Sequence, residues 1–426
     1  EARAQRLLAW NITRAASPAD PVDGAGEASV ADAVAGCVAW ALELGVPLVL
    51  GSATPALESV ENARSGRYER LVLAERAGAA GQPTVHLIDV RTHQPRDGLT
   101  QPLLAAIRRH LDDDGQALIF LNRRGYAPTL VCVGCGTVVG CDRCDARMVL
   151  HQQRGRVTCH HCGSDRPAPV TCPHCQAELR AVGQGTERLE QALAREFPDH
   201  ALERIDRDTT RRRGEIERRL DRVRSGEARL LLGTQMLTKG HDFPGVTLVG
   251  IVDVDQGLFG TDFRSAERLA QTFIQVAGRA GRADRPGEVW LQTLFPDHPL
   301  LRVLLSQGYG AFAALALDER RQAGWPPWSS LALVRAEAAE RPPVFSFLEE
   351  AAALARARAP GGLRVLGPAS APMERRAGRY RGQLLLQAAA RRDLQRFLPE
   401  FRAAVATLPG QRRVRWSLDV DPSELF

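Results

Sequence analysis

The chain has 426 residues, of which 44% are hydrophobic and 25% charged, a balance typical of a globular protein with two or three domains. No uninterrupted apolar run reaches the roughly 20 residues that span a bilayer, and the N-terminus lacks a signal-peptide pattern. We therefore expect a cytoplasmic protein without a membrane partner. The net charge of +6 suits an anionic partner such as nucleic acid, although many soluble proteins share it.

Apolar runs and helical periodicity alternate along the first 300 residues, after a segment, 1–42, to which we assign no structure. The predicted strands are 46–50, 85–90, 117–121, 201–205, 229–232, 246–252 and 289–293. The predicted helices begin at Ala56 and cover 103–111, 186–197, 215–224 and 265–277. This alternation predicts an α/β domain with a parallel sheet, interrupted by a cysteine-rich insertion.

The pattern changes after about residue 300. Predicted strands at 331–335, 363–366, 383–387 and 414–420 flank predicted helices at 345–357 and 391–405. Two β-α-β units in succession predict a small α+β domain of the ferredoxin-like kind.

Four Cys-x-x-Cys pairs are the strongest chemical signal in the sequence. They are Cys132/Cys135, Cys141/Cys144, Cys159/Cys162 and Cys172/Cys175. Eight thiols make two four-sulfur sites of the kind that hold structural Zn²⁺, whereas disulfides suit small secreted domains. The simplest pairing is nested, with the two outer pairs on one zinc and the two inner pairs on the other. Histidines could each replace a thiol, although the sulfur count is already complete; they are His151, His160, His161 and His174.

Four polar segments are candidates to contact a nucleotide or DNA. They are GSATP at 51–55, FLNRRG at 120–125, GTQMLTKGHDFP at 233–244 and QVAGRAGR at 275–282. A turn, a solvated loop or a basic helix end would explain each one alone, so only their order along the chain is specific. The single lysine, Lys239, is flanked by Thr238 and Gly240, so this sequence contains no G-x-x-x-x-G-K-[ST] phosphate loop.

In this order, the four segments resemble motifs III to VI of the PriA family, the superfamily 2 DNA helicases of bacterial replication restart. The resemblance runs from about residue 45 to residue 426 and includes the eight cysteines. It also includes DVD at 253–255, FRSAER at 263–268 and WSLDVDP at 416–422. It implies a RecA-like second helicase lobe with an inserted two-zinc region, followed by a C-terminal α+β domain.

The resemblance implies a division of the chain into four parts beyond residue 42. The tail of the first helicase lobe covers 43–75, and the second lobe covers 76–128 and 183–300. The zinc-binding insertion covers 129–182, and the C-terminal domain, which would bind DNA and partner proteins, covers 301–426. The 45–73 stretch lacks the sheet it normally joins, so we expect it to be poorly supported.

The motifs also supply candidate site residues. By resemblance, Asp242 and Gln275 lie near the nucleotide, and Arg279 and Arg282 are candidate arginine fingers. Other polar and basic side chains suit contact with DNA phosphates or bases. These candidates are Thr234, Gln235, Arg123, Arg124 and, in a basic loop, Arg375, Arg376, Arg379 and Tyr380. A solubilising surface loop is the alternative reading of the basic loop.

The sequence departs from the family by lacking Walker A, a DEAH-type Walker B motif and the N-terminal DNA-binding domains. ATP and Mg²⁺ therefore belong to the complete protein, and we expect no ATP hydrolysis by this chain alone. In the complete protein we expect 3′–5′ unwinding at stalled forks and primosome assembly with single-strand-binding protein. The alternative is a helicase-inactive restart module that acts only through zinc, forked or single-stranded DNA, and partner contacts.

Overall fold

The computed structural model describes residues 43–425, with gaps inside that range. The gaps are 74–82, 122–128, 152–154, 160, 183–185, 207–208, 210–213, 235–242, 261 and 282–286. The unassigned segment 1–42 lies outside the described residues.

The described residues form fifteen strands, numbered here in chain order. They are β1 (Thr84–Asp89), β2 (Gln116–Leu121), β3 (Thr129–Cys132), β4 (Val149–His151), β5 (Arg156–Thr158), β6 (Asp165–Pro167), β7 (Leu179–Val182), β8 (Leu202–Ile205), β9 (Leu230–Gly233), β10 (Val246–Val252), β11 (Glu288–Thr293), β12 (Ser330–Ala338), β13 (Leu363–Arg376), β14 (Arg379–Ala388) and β15 (Arg415–Val420). The α-helices are α1 (Leu57–Arg64), α2 (Gln101–Asp112), α3 (Thr186–Glu196), α4 (Glu215–Arg224), α5 (Asp255–Leu258), α6 (Ser265–Ala277), α7 (Pro299–Ala323), α8 (Arg341–Arg358) and α9 (Arg391–Val405).

Six parallel strands form the sheet of the first part of the chain. Their order is β1-β11-β10-β2-β9-β8. Strands β2 and β10 are buried along their whole length because helices cover both faces of the sheet. The predicted α/β class is confirmed, and this unit is called the lobe from here on.

Successive side chains of the central strands enter two different cores, since side chains alternate between the faces of a strand. Ile119 of β2 belongs to a buried cluster with Leu193 of α3. The next residue, Phe120, belongs to a cluster with Phe273 of α6 and Leu304 of α7. The sheet therefore has a complete hydrophobic layer on each side.

The predicted strand at 46–50 is wrong. This run is irregular, and Val46, Val49 and Leu50 are 45%, 45% and 48% exposed. No strand among the described residues pairs with it, and an apolar run becomes a buried parallel strand only where neighbours satisfy its backbone. Helix α1 does form after Ala56, and its Leu57 is fully buried in the core of the lobe.

The sequence pattern did not predict helix α7. Its periodicity is interrupted at Gly308, which has φ 79° and ψ −175° and divides α7 into two helices across a kink. By length and composition alone, α7 is long and apolar enough to cross a membrane. However, its Leu304 and Phe312 lie in the core of the lobe, and its Arg320 is buried in ion pairs, as expected for the core helix of a globular domain.

The cysteine-rich insertion leaves the lobe after β2 and returns before α3. Its base is the antiparallel pair β3–β7, which brings the two ends of the insertion together. Beyond the base, β4, β5 and β6 form a three-stranded antiparallel ribbon. This arrangement is a zinc-ribbon type of insertion, as the spacing of the cysteines predicts.

The last part of the chain is an antiparallel sheet with the order β13-β14-β12-β15. Helices α8 and α9 connect these strands and supply Phe347 and Phe401 to one buried core on one face. The succession β-α-β-β-α-β with this strand order is the ferredoxin-like arrangement, so that prediction is confirmed. Strands β13 and β14 form a hairpin that turns at Ala377–Gly378.

Candidate metal centres and nucleic-acid interface

The first cysteine cluster forms where the insertion joins the lobe. Cys132, the last residue of β3, lies with its Sγ 3.4 Å from the Sγ of Cys175, and the Cys135 and Cys172 sulfurs are 3.7 Å apart. Tight turns present each pair, because the N–H of Gly136 donates to the Cys132 carbonyl and that of Gln176 donates to the Cys172 carbonyl.

The second cluster lies beyond the base, at the start of the ribbon and after β5. Its members are Cys141, Cys144, Cys159 and Cys162. The sulfurs of Cys141 and Cys162 are 3.7 Å apart, and Cys144 and Cys159 are buried in a small apolar core with Met148 and Val157. The structure thus groups the cysteines in the nested pairs that their spacing predicts.

Both clusters fit a tetrahedral metal. All ligand atoms within each cluster lie within 4.8 Å of one another. Zn–S bonds of about 2.3 Å separate the sulfurs of a tetrahedral site by about 3.8 Å, whereas a disulfide holds them at about 2.05 Å. All eight cysteines are free thiols. These distances suggest zinc binding at two Cys₄ sites.

The second cluster is also chemically suited to a cation. Burial, together with the neighbouring Cys162 and Cys159 thiols, raises the pKa of Cys144 to about 12, although the Ala377 N–H acts in the opposite direction. Four thiolates confined to this space repel one another and become stable only with a positive ion between them. The groups that could hold a metal contain no histidine among the described residues.

The GSATP segment meets the helix that carries the QVAGRAGR motif. Thr54 is buried, its carbonyl accepts from Gln271 Nε2 at 3.3 Å, and its Oγ1 accepts from Gln275 Nε2 at 3.5 Å. The Tyr309 hydroxyl of α7 donates to the Pro55 carbonyl at 2.7 Å. The GSATP segment is therefore joined to α6 at Gln275, the predicted nucleotide contact.

Below this contact lies a buried charge network that sequence reasoning missed. Arg320 of α7 donates to Glu267 of α6 at 2.6 Å and to Glu58 of α1 at 3.2 Å. Arg264 contacts Glu58 at 2.7 Å, and Glu267 accepts the backbone N–H of Leu57 at 3.0 Å. The network ties α1 to α6 and α7. The FRSAER segment contains two of its members, which is the one sequence signal that could have found it.

The other motor candidates follow the carboxyl ends of adjacent parallel strands. Thr234 comes directly after β9, the FLNRRG segment begins with the last two residues of β2, and the DVD segment follows β10. Because these three strands are neighbours in the sheet, their carboxyl ends meet at one edge, where α/β folds bind ligands. Arg279 follows α6. The candidates Gln235, Arg123, Arg124, Asp242 and Arg282 lie outside the described residues.

The predicted basic loop is the end of the β13–β14 hairpin, and it has two faces. Arg376 lies opposite Arg379, and Arg375 lies opposite Tyr380. Tyr380 is half-buried and packs against the core under the helices. Alternation along a strand therefore assigns Arg376 and Arg379 to the open face of the sheet, and Arg375 to the face of Tyr380. The sequence could not separate these two pairs.

The open face continues into a concave site of about 370 Å³, lined among others by Arg335, Arg381, Arg415 and Gln383. Burial, and then the charge of Arg376, lowers the pKa of Arg381 below its usual value. Three arginines, Arg335, Arg381 and Arg415, share this site with one carboxylate, Glu337. Their net positive charge suits the site to an anion.

Three protein-family profiles match consecutive parts of the chain. Residues 141–167 match the PriA DNA helicase Cys-rich region, 178–284 match the helicase conserved C-terminal domain, and 321–423 match the primosomal protein N C-terminal domain. The matched regions therefore define the class of the chain: a Cys-rich region, a helicase conserved C-terminal domain and a primosomal protein C-terminal domain, in that order.

Curated relatives agree with the profiles. The replication restart protein PriA of Haemophilus influenzae is 45% identical over 389 residues, which cover 91% of this chain and 53% of the relative. That of Bacillus subtilis is 38% identical over 381 residues, covering 88% and 47%, and that of Rickettsia felis is 34% identical over 383 residues, covering 89% and 58%. The chain belongs to the PriA family, and it spans about half the length of these relatives.

Proposed function

We propose that this chain acts in replication restart by binding forked and single-stranded DNA. The complete protein would use ATP and Mg²⁺ to unwind DNA in the 3′–5′ direction at stalled forks. It would start primosome assembly in the cytoplasm, with single-strand-binding protein and primosome components as partners. The observation that carries the proposal is the similarity to replication restart proteins across most of the chain, at 45% identity over 389 residues.

We propose that the parts of the chain have the functions that the motifs imply. The tail at 43–75 and the lobe at 76–128 and 183–300 form half of the motor, 129–182 holds two Zn²⁺, and 301–426 binds DNA and partners. When bound, zinc supplies cross-links that hold the insertion in shape. All but the first five residues of the helicase profile, 178–284, fall within the lobe, so the helicase-inactive alternative gains no support over the motor reading.

In the motor, Gln275 and Asp242 are the proposed nucleotide contacts, and Arg279 and Arg282 the proposed arginine fingers. The hydrogen bond from Gln275 to Thr54 supports this role, because it lies where α6 meets the tail of the first lobe. A nucleotide held by the first lobe would be within reach of the end of α6.

The proposed DNA contacts form two groups. One group comes from the FLNRRG and GTQMLTKGHDFP motifs and consists of Thr234, Gln235, Arg123 and Arg124, of which Thr234 lies at the carboxyl end of β9. The other is the hairpin with Arg375, Arg376, Arg379 and Tyr380, in which the two arginines of the open face are the phosphate contacts best supported by the geometry. Both Arg376 and Arg379 are exposed, and they adjoin the anion-suited concave site.

Binding of fluorescent oligo-dT, measured by anisotropy over a range of KCl concentrations, tests the hairpin. Each lost phosphate contact lowers the slope of log K against log salt by about 0.7 for single strands. The double variant Arg376→Ala/Arg379→Ala should therefore bind more weakly and lose about 1.4 from the slope.

The control is Arg412→Ala/Arg413→Ala, which removes the same charge from an exposed 3₁₀-helix of the same domain. This control should leave the slope within about 0.3 of the parent value, since general charge effects are weaker than direct contacts. Equal slopes for both double variants would reject the hairpin as a phosphate-binding site.

A further inference from the structure

The tip of the C-terminal hairpin is docked on the turn of the second cysteine cluster. The Ala377 N–H donates to the Sγ of Cys144 at 3.0 Å, and the Gly378 N–H donates to the carbonyl of Arg143 at 2.6 Å. The partners of each bond are more than 230 residues apart in sequence. Two consecutive amides of the hairpin turn thus bond to two consecutive residues of the Cys141–Cys144 turn.

Further contacts extend the docking into a small interface. The Asp145 N–H donates to the Arg375 carbonyl at 2.7 Å, and the Asp145 carboxylate accepts the Arg375 N–H in return at 2.5 Å. Met373 packs against the apolar core that surrounds Cys144 and Cys159. Backbone, carboxylate and apolar contacts therefore act together at one place.

The backbone of the hairpin turn suits this docking. Ala377 has φ 53° and Gly378 has φ 79°, the two positive values of a two-residue hairpin loop of type I′. Glycine adopts this conformation freely, whereas the Cβ of alanine disfavours it. The contacts with the cysteine turn hold Ala377 in the conformation that directs its N–H to Cys144.

The two cysteine clusters differ in what supports their sulfurs. In the first cluster, the N–H donors to sulfur include those of Gly134, Cys135 and His174, and each lies within three residues of the cysteine that accepts. In the second cluster, Arg143 donates locally to Cys141, but the donor to Cys144 comes from the C-terminal domain. Among the described residues, only the second cluster has a donor from another domain.

We infer that the hairpin tip is part of the second zinc site: it supports the Cys144 thiolate, and zinc at that site in turn holds the hairpin in place. Four thiolates on Zn²⁺ leave a net charge of about −2, which N–H donors to sulfur stabilise. Such outer partners change metal affinity by about 10–100-fold when they are lost. Coupling between two sites is reciprocal, so zinc must stabilise the docked hairpin by the same free energy.

The inference rests on the proposed presence of zinc in both clusters, and the first measurement separates the two claims. Purified chain should contain two zinc atoms per molecule by elemental analysis. Fewer than two would overturn the zinc proposal itself and leave the docking inference without a basis. With two present, the next experiments address the docking alone.

The test variant is Asp145→Ala, which removes the acceptor for Arg375 without touching a ligand. Zinc release to an excess of a chromogenic chelator should become about tenfold faster for one of the two zinc atoms and stay unchanged for the other. Asp145→Asn keeps an acceptor oxygen and should release zinc at nearly the parent rate.

The matched control is Asp142→Ala. Asp142 lies in the same cysteine turn and is largely exposed, but its carboxylate pairs with Arg166 of the ribbon at 3.0 Å rather than with the hairpin. Both of its zinc atoms should leave at the parent rates. If Asp145→Ala releases zinc no faster than Asp142→Ala, the hairpin does not support the site and the inference is wrong.

A second measurement uses the unmodified chain, so it does not depend on any variant folding. Trypsin cleaves after arginine, and Arg376 and Arg379 flank the docked turn. Stripping zinc with a chelator should make these bonds early cleavage sites, and restoring zinc should protect them. Equal cleavage with and without zinc would overturn the claim that zinc at the second site holds the hairpin in place.

Discussion

The buried charge network around Arg320 offers a direct test of how α1 is anchored to the lobe. Arg320 is 5% exposed and Glu267 is 3% exposed. Replacing Arg320 by Met keeps an apolar side chain of similar length and removes the guanidinium. Arg264 then remains as the cation beside both carboxylates, 2.7 Å from Glu58 and 3.6 Å from Glu267.

The structure sets the size of the effect. Arg320 donates to two carboxylates and to the carbonyls of Pro326 and Phe263, and its guanidinium lies 4.9 Å from the Phe263 ring centroid. Hydrogen bonds to charged groups contribute about 1.5–3 kcal/mol each, so the two carboxylate bonds together account for about 3–6 kcal/mol. Breaking a buried ion pair from one side costs about 3–5 kcal/mol, which agrees. We expect Arg320→Met to lower the free energy of unfolding of the lobe by about 3–5 kcal/mol.

Urea unfolding followed by tryptophan fluorescence measures this change, because Trp325 stacks on Phe263 at 5.3 Å beside the network. With a slope of about 2 kcal/mol per molar urea, the midpoint should fall by about 1.5–2.5 M. The control is Arg321→Ala. The Arg321 side chain, next to Arg320 in sequence, is 62% exposed and pairs with Asp318 within one turn of the helix. Surface pairs of this kind contribute about 0–1 kcal/mol. Similar midpoints for the two variants would refute the anchoring role of the network.

Two further predictions concern smaller effects. Hydrogen bonds from Arg188 and then Arg195 lower the pKa of Asp97 in the folded protein. This carboxylate therefore contributes its full stabilisation above its unfolded pKa of about 3.9, and the contribution is lost as pH falls through the lower folded pKa. Asp97→Asn should therefore lower stability by about 0.5–1 kcal/mol at pH 7. The urea midpoints of variant and parent should approach each other as pH falls below about 3.9, and a difference that grows on acidification would contradict this sign. Ala377→Gly should raise stability by about 0.5–1 kcal/mol in thermal unfolding, because φ 53° strains alanine, whereas Ala369→Gly in β13 should not; a loss at position 377 would contradict the strain argument.

The sequence alone identified the features that depend on near neighbours. The buried strands β2 and β10 appear as apolar runs because both of their faces are covered, so almost every side chain must be apolar. The eight cysteines predict their own clusters because a Cys-x-x-Cys turn directs two sulfurs to one point whatever surrounds it. The ferredoxin-like order followed from the same short-range periodicities.

The same local rules failed where the outcome depended on distant partners. The apolar run at 46–50 has the composition of a buried strand, but it is exposed because no described strand pairs with it. Helix α7 was missed because Gly308 breaks the periodicity of a helix that long-range packing nevertheless stabilises. Local pattern reports what a segment can form, and its neighbours in space decide whether it forms.

Only the tertiary structure decided how the candidate sites are assembled. It places Arg376 and Tyr380 on opposite faces of the β13–β14 hairpin. It also joins Glu267 to Arg320, which lie 53 residues apart in sequence. It also brings the Ala377 amide to Cys144 across 233 residues. The pattern of a single sequence does not predict which of these residues will pair, because the free energy that favours a pair arises only when two separately folded surfaces come together and exclude water.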